Sequence, residues 1–285
     1  MSVGCKMIID FHVHALPPQI KQDRSRCVKT DSAFAGIYAG DKVKIATTDD
    51  LIANMDRDGV DVSVIVSYGW STHALCVETN DYIIESVARF PKRLIGFASV
   101  ADYNSEQSLS EIERCARGGV RGIGELRPDT QPPGFTDKEA LKPFAALLRE
   151  FKLILMTHSS EPVGHTYPGK GAATPGLLYS FISGFPDITL VCAHWGGGLP
   201  FYSLMPEVKT ALTNTYFDTA ISPFLYRPEI YQQVSRIIGS DKIIFGSDFP
   251  VMTPGRIMKE IENSGLGKKD KDNILSGNAR RLLGL

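Results

Sequence analysis

The chain has 285 residues, 43% of them hydrophobic and 22% charged, which is ordinary globular composition and excludes disordered and fibrous classes. Lys plus Arg total 31 against 32 for Asp plus Glu, a net charge of −1 with no run of like charge, so there is no electrostatic footprint for nucleic acid or anionic lipid. Apolar stretches such as 153–156 fall far short of the ~20 residues a membrane span needs, and the first ten residues show no signal-like apolar core or cleavage site.

In chain order, a β-branched run at 7–14 predicts a first strand, closing on His12-Val-His14. Roughly 34 residues follow before the next periodic segment, too many for an ordinary βα turn. A helix is then predicted at 49–58, a strand at 61–67 and a helix at 78–90. Strand 93–100 precedes helix 105–117, and strand 120–126 precedes helix 137–151. Strand 153–158 opens a second long connection, 159–174, rich in Pro and Gly; helix 175–184 and strand 188–194 come next. A Gly cluster at 196–198 leads to helix 200–210, strand 215–219, helix 228–238, strand 242–248 and helix 254–263. Several helices open on a capping Asp or Ser or on Pro near the first turn. An amphipathic helix is expected at 270–285, with Ile274, Leu275 and Leu282 to pack on the rest.

Strands alternating with helices argue for parallel pairing through βαβ crossovers. Eight units of about 36 residues each match a (β/α)8 TIM barrel, here with a long loop after strand one and an extra C-terminal helix. No G-x-G-x-x-G follows the first strand, and the Gly cluster lacks the Lys-Ser/Thr of a P-loop. No linker or composition shift divides the chain, so one domain over 1–285 is expected. Both long connections leave C-terminal strand ends, where barrels build sites, and are expected to be pocket walls or lids; family-specific decoration is the alternative. Five cysteines (Cys5, Cys27, Cys76, Cys115, Cys192), odd in number and without a C-x-x-C pair, argue against a disulfide frame and favour a cytoplasmic location.

The six histidines are not scattered. His12 and His14 lie on strand one, His158 ends strand five, His194 ends strand six, and His73 and His165 fall in loops leaving strands two and five. Residues i and i+2 of a strand share a face, so His12 and His14 can clasp one divalent ion. Asp248 ends strand eight and Glu125 the tip of strand four, where a carboxylate is costly to bury without a cation or donors. The alternatives are a helix cap for Asp248 and an ion pair with Arg127 or Arg121 for Glu125. Asp10, two residues before His12, is expected to face inward and either orient a ligand imidazole or bond to neighbouring backbone. Rim loops carry Arg127, His73, His165, Lys170, Tyr68, Trp70 and Arg256, a mixture suited to an anionic or aromatic small molecule or simply to solvent. Trp195 either underlies the site or plugs a barrel layer.

Asp10-Phe-His12-Val-His14, Thr157-His158, Ala193-His194-Trp-Gly-Gly-Gly198 and Phe245-Gly-Ser-Asp248-Phe-Pro together resemble the amidohydrolase superfamily. The last two motifs look most like its amidohydrolase-related branch, which includes aminocarboxymuconate-semialdehyde decarboxylase-like enzymes. The resemblance implies His12, His14, His158 and Asp248 as metal ligands, with His194 a second-metal ligand or a catalytic imidazole. Many members place a carbamylated lysine at strand four; Glu125 stands there instead, similar to the bridging glutamate of TatD-type hydrolases.

On that resemblance the expectation is a metal-dependent hydrolase of a small amide, ester, lactone or phosphoester. One or two divalent ions, two favoured and zinc foremost, would generate hydroxide from water. His12, His14 and Asp248 would hold one ion, His158 and His194 the other, and Glu125 would bridge; Asp248 and His194 are the catalytic candidates, Asp248 as proton shuttle. Arg127, His73, His165 and Lys170 would bind substrate. The alternative is a mononuclear, non-oxidative decarboxylase of a small carboxylated substrate. The expected partner is a small molecule, not nucleic acid or membrane, with a homodimer left open. A non-enzymatic metal-binding barrel is disfavoured, because a structural zinc site needs four ligands and no proton shuttle.

Overall fold

The computed structural model describes residues 7–40 and 42–285; Cys5 and the rest of 1–6, part of the segment scanned for a leader, lie outside the described residues. Eight parallel strands run in sequence order: β1 (Ile9–Val13), β2 (Val62–Val66), β3 (Leu94–Ala98), β4 (Gly122–Leu126), β5 (Ile154–Thr157), β6 (Leu190–Cys192), β7 (Thr215–Asp218) and β8 (Ile243–Ile244). The sheet closes where the chain beyond β8 runs beside β1. Phe11 N–H donates to Phe245 O (2.8 Å), His14 N–H to Phe249 O (2.7 Å) and Asp248 N–H to His12 O (2.9 Å). With helices in the crossovers, this is the expected (β/α)8 barrel. No helix among the described residues is long and apolar enough to cross a membrane.

Local sequence sets the helix limits. Thr47 and Asp50 form a reciprocal capping box that starts helix Thr48–Asp58, and Gly59 stops it in the left-handed conformation at φ 73°. Ser105 caps helix Glu106–Arg117. The interior of the barrel is a single apolar cluster drawn from six strands, including Phe11, Val64, Phe97, Met156, Val191 and Ile244.

Several segments depart from the sequence expectation: helix 200–210 is a 3-10 run to Leu204 and then helix Pro206–Ala211, helix 137–151 starts only at Lys142, and strand 242–248 shortens to Ile243–Ile244. The 15–48 connection is no open loop but three short helices, Pro18–Gln22, Arg24–Thr30 and Ser32–Tyr38, the last two capped by Asp23 and Asp31. Aromatic packing holds them down: Phe34 stacks on Trp70 at 5.0 Å and on Tyr38 at 4.5 Å. The expected C-terminal helix is continuous from Lys268 to Leu283 but carries a π-turn, Asn273–Gly277, between Lys268–Asp272 and Asn278–Leu283. Ala279 and Leu283 join the interior cluster, and Asn278 Nδ2 donates to Ser240 O (2.7 Å) and Ile243 O (2.6 Å). Finally, helix His73–Arg89 begins five residues before the expected start, so His73 opens a helix rather than lying in a loop.

Candidate metal centre

Alternation along β1 does not run unbroken. Ile9 pairs with Val62 and Asp10 with Ser63, but the register shifts before Val13 meets Ile65. A one-residue slip exchanges the faces of everything beyond it. Ile9 and Phe11 alternate into the barrel interior, and beyond the shift His12 and His14 also turn inward and meet at the mouth, with Val13 outside. Asp10 does not sit one layer beneath the ligand imidazoles. Its Oδ1 accepts backbone N–H groups from Ser247 (2.9 Å) and His12 (3.3 Å), which is the backbone-bonded alternative. Burial pushes the Asp10 pKa up to about 7.

A second register shift places Glu125. On β4 it falls between Ile123 and Leu126, both packed outside the barrel. Gly124 lies at φ 136°, and a Cβ there would come 2.1 Å from Met156 O, so only glycine fits this passage. His158 follows β5 in simple alternation after inward Met156. At β6 the inward residues are Val191 and Ala193, so alternation alone would send His194 outward. Instead the chain turns left-handed through five successive residues, from His194 (φ 54°) and Trp195 (φ 57°) to Gly198 (φ 93°). A Cβ on Gly196 would meet the Phe217 ring at 2.7 Å, and one on Gly197 would meet Ser160 O at 2.3 Å. The Gly triplet thus lets a strained turn seat against the β5 loop. Behind it Trp195 packs on Tyr231 (5.1 Å) and donates to Ser222 Oγ (3.0 Å).

His12, His14, Glu125, His158, His194 and Asp248 come together as one buried cluster. Glu125 offers one oxygen to each half. Its Oε2 lies 3.6 Å from the Nε2 atoms of His12 and His14, and its Oε1 lies 3.0 Å from His158 Nδ1 and 3.3 Å from His194 Nε2. Asp248 Oδ1 stands 3.0 Å from His14 Nε2 and 3.6 Å from His12 Nε2. Among the described residues, neither Asp248 nor Glu125 caps a helix with its side chain or forms an ion pair with an arginine.

The outward ring nitrogens fix the tautomers. His12 Nδ1 is 2.7 Å from Asp218 Oδ2, and His14 Nδ1 is 3.2 Å from Val66 O. Both partners only accept, so both Nδ1 atoms carry hydrogen and both Nε2 atoms converge, 3.2 Å apart. Two facing Nε2 atoms beside two carboxylates are an arrangement that shared positive charge resolves, from a proton or from a metal ion. His12-His14-Glu125 and Glu125-His158-His194 each gather donor atoms within 4.8 Å of one another. The residues fit a divalent metal. Asp218, which holds His12 as ligand-orienting carboxylates do, was not singled out in the sequence; its only signal there was its place at the end of strand seven.

Charge at the centre is balanced internally. Burial disfavours a charged His12, but the Asp218 and Glu125 carboxylates outweigh it and hold its pKa well above the usual imidazole value. Burial likewise opposes ionised Glu125, yet His12 and His158 hold that carboxyl well below its ordinary range. At His158 burial prevails over Glu125 and favours the neutral ring, while at His194 it is overcome by Glu125, then Asp248 and Asp218, raising the pKa to about 9.

Above the cluster opens a cavity of about 490 Å³, floored by His14, Glu125, His158, His194 and Asp248. Both long connections wall it, through Tyr38, Lys42 and Lys44 from the first and His165 and Tyr167 from the second; Tyr68 also lines it. Of the four residues expected to bind substrate, only His165 borders it. Arg127 is committed to Asp129 (3.2 Å), Lys170 donates to the carbonyls of Val163 (2.7 Å) and His165 (2.9 Å), and His73 sits at its helix start. Arg256 lies over the Phe224 ring at 5.2 Å, and Trp70 is buried in the aromatic cluster.

The sequence profile of the amidohydrolase family matches residues 9–285. The chain is 25% identical to 2-amino-3-carboxymuconate-6-semialdehyde decarboxylase of Dictyostelium discoideum, over 97% of this chain and 91% of that one. It is 21% identical to gamma-resorcylate decarboxylase of a Polaromonas species, over 81% and 85%. Its fold matches 5-carboxyvanillate decarboxylase of Novosphingobium aromaticivorans, solved with bound manganese and 3-methoxy-4-hydroxy-5-nitrobenzoic acid, at a TM-score of 0.79 with 19% identity and coverage of 98% and 97%. These relatives overturn the expectation of a hydrolase. The metal in the neighbour is manganese where zinc was expected.

Proposed function

The chain belongs to the amidohydrolase family, in the branch of the aminocarboxymuconate-semialdehyde decarboxylase-like enzymes, and from that premise we propose that it is a divalent-metal-dependent, non-oxidative decarboxylase of a small carboxylated substrate. The observation that carries the reading is the imidazole–carboxylate cluster at the floor of a largely apolar cavity, in a chain whose curated relatives are decarboxylases.

In this reading His12, His14, His158 and Asp248 hold the metal, and Glu125 and His194 complete the donor set. A bound divalent cation supplies Lewis-acid charge that fixes the substrate's oxygens and offsets negative charge developing as CO2 leaves. The chain's own residues do the rest. The bond between carbon and carboxylate breaks, its electron pair stays on carbon, and that carbon takes up a proton. Asp248 and His194 both border the cavity and can carry a proton, at a carboxylate oxygen and at Nε2, so they are assigned its delivery. His194 Nδ1 faces Ala220 O at 3.4 Å, which keeps Nε2 turned to the centre. Apolar walls exclude water, which strengthens every charge interaction inside. Glu125, with one oxygen toward each pair of histidines, also gives the centre the capacity for a second ion.

The test is reconstitution. Protein stripped with a chelator and reloaded with manganese should regain CO2 release from carboxylated phenols such as 2,6-dihydroxybenzoate and 5-carboxyvanillate, and elemental analysis of the same sample counts one ion or two. Reloaded protein that releases no CO2 from a broad carboxylate panel would sink the reading.

A further inference from the structure

His158 stands apart from the other imidazoles of the centre. His12, His14 and His194 turn Nε2 to the Glu125 carboxylate, whereas His158 turns Nδ1, 3.0 Å from Glu125 Oε1. Its Nε2 therefore points away from the centre and lies 3.1 Å from Ser160 Oγ. Burial favours the neutral ring, which has one hydrogen to place. Nδ1 can offer a lone pair to a cation only when that hydrogen is on Nε2, and Ser160 Oγ is placed to accept it. The same oxygen accepts the Gly171 N–H at 3.0 Å. Ser160 is itself fully buried, and its backbone N–H donates to Ala173 O at 3.0 Å. The base of the second long connection is thus drawn closed on one serine. His165 and Tyr167, which lie between the two joined ends, are carried to the cavity wall.

We infer that Ser160 is a positioning residue that couples occupancy of the metal centre to closure of the 159–174 wall, accepting the His158 Nε2 hydrogen and the Gly171 N–H on one oxygen. The inference rests on the metal-binding part of the proposed function and takes nothing from the identity of the substrate. A hydroxyl oxygen has two lone pairs, enough for both donors. One side-chain torsion of Ser160 serves both contacts, so whatever fixes one favours the other. A ring held by an ion keeps Oγ where Gly171 needs it, and a closed wall keeps Oγ where the ligand ring needs it. Such coupling is reciprocal: if metal favours closure, closure favours metal by the same factor.

Two measurements on the full chain test this without turnover. Manganese affinity, read by competition with a chromogenic chelator, should fall about tenfold in Ser160→Ala. Amide hydrogen exchange over 159–174 should slow about tenfold when the parent is loaded with manganese, and the variant should lose most of that slowing. Ser160→Cys nearly keeps the side chain's volume but accepts weakly, so it should show both losses without opening a cavity. A serine that only braces the wall would, once replaced, quicken exchange equally with and without metal and leave the affinity alone. That result would overturn the inference, as would variants whose wall manganese still protects to the parent's degree. A parent that binds no manganese would instead bring down the metal-dependent reading and the inference together.

Discussion

The His12 imidazole gives its Nδ1 proton to Asp218 at 2.7 Å, and the same carboxylate accepts the backbone N–H of His194 at 2.8 Å. One side chain at the end of β7 thus orients a ring on β1 and anchors the left-handed turn after β6. Asp218→Asn should keep the fold but lose the acceptor that fixes the His12 tautomer. Manganese affinity, read by competition with a chromogenic chelator, should fall about 10–100-fold, with an unchanged far-ultraviolet circular dichroism spectrum. Unaltered affinity would show that the orientation of His12 does not depend on Asp218.

Backbone space in the turn after β6 is equally specific. Gly197 sits at φ 58°, with Ser160 O where a Cβ would go, whereas a Cβ on Gly176 in helix Pro175–Gly184 would meet nothing within 4 Å. Gly197→Ala should destabilise by about 1–3 kcal/mol, while Gly176→Ala should be neutral or slightly stabilising. Thermal melts of the pair decide it, and equal melting temperatures would contradict the strain assigned to the turn.

Arg127 and Asp129 form an ion pair with side chains only 8% and 4% exposed, and Asp129 also accepts the Ala172 N–H at 2.9 Å. Removing one member leaves a buried charge, so Arg127→Met should cost about 3–5 kcal/mol. It should also speed proteolysis within 159–174, the segment that Asp129 ties down. A stable, equally resistant variant would mean the pair is not what holds that wall.

Three tyrosines line the cavity. Tyr68 donates to Ala33 O (2.7 Å) and Tyr167 to Glu161 (3.0 Å), whereas the Tyr38 hydroxyl has no hydrogen-bond partner among the described residues. Tyr38 is buried, and its hydroxyl feels the charges of Asp248 and Glu125. It is free to donate to a bound anion, so Tyr38→Phe should raise KM about tenfold with little change in melting temperature. A KM equal to that of the parent would remove Tyr38 from substrate binding.

Much of this was legible in the sequence, and the failures have physical causes. Eight strand–helix units and histidines at strand ends are periodic signals, and they placed the barrel and the cluster from His12 to Asp248. The shift that turns His12 inward directly after inward Phe11 is a non-local property of β1–β2 pairing, so Asp10 drew attention that belonged to Asp218. Which cations border the cavity was not legible for a similar reason. Arg127 and Lys170 bear the right charge, but their partners are set by how the β5 loop folds, and Lys42 and Lys44 reach the rim only because three unforeseen helices fill the first connection. The choice between hydrolysis and decarboxylation was not in the ligands at all, since imidazole and carboxylate donors support both chemistries.

The most direct measurement is product analysis by NMR after turnover of a carboxylated phenol by manganese-loaded protein in D2O. The account predicts one CO2 per molecule consumed and one deuteron at the carbon the carboxylate left. Substrate recovered intact with its carboxylate, while esters or lactones are cleaved under the same conditions, would contradict it.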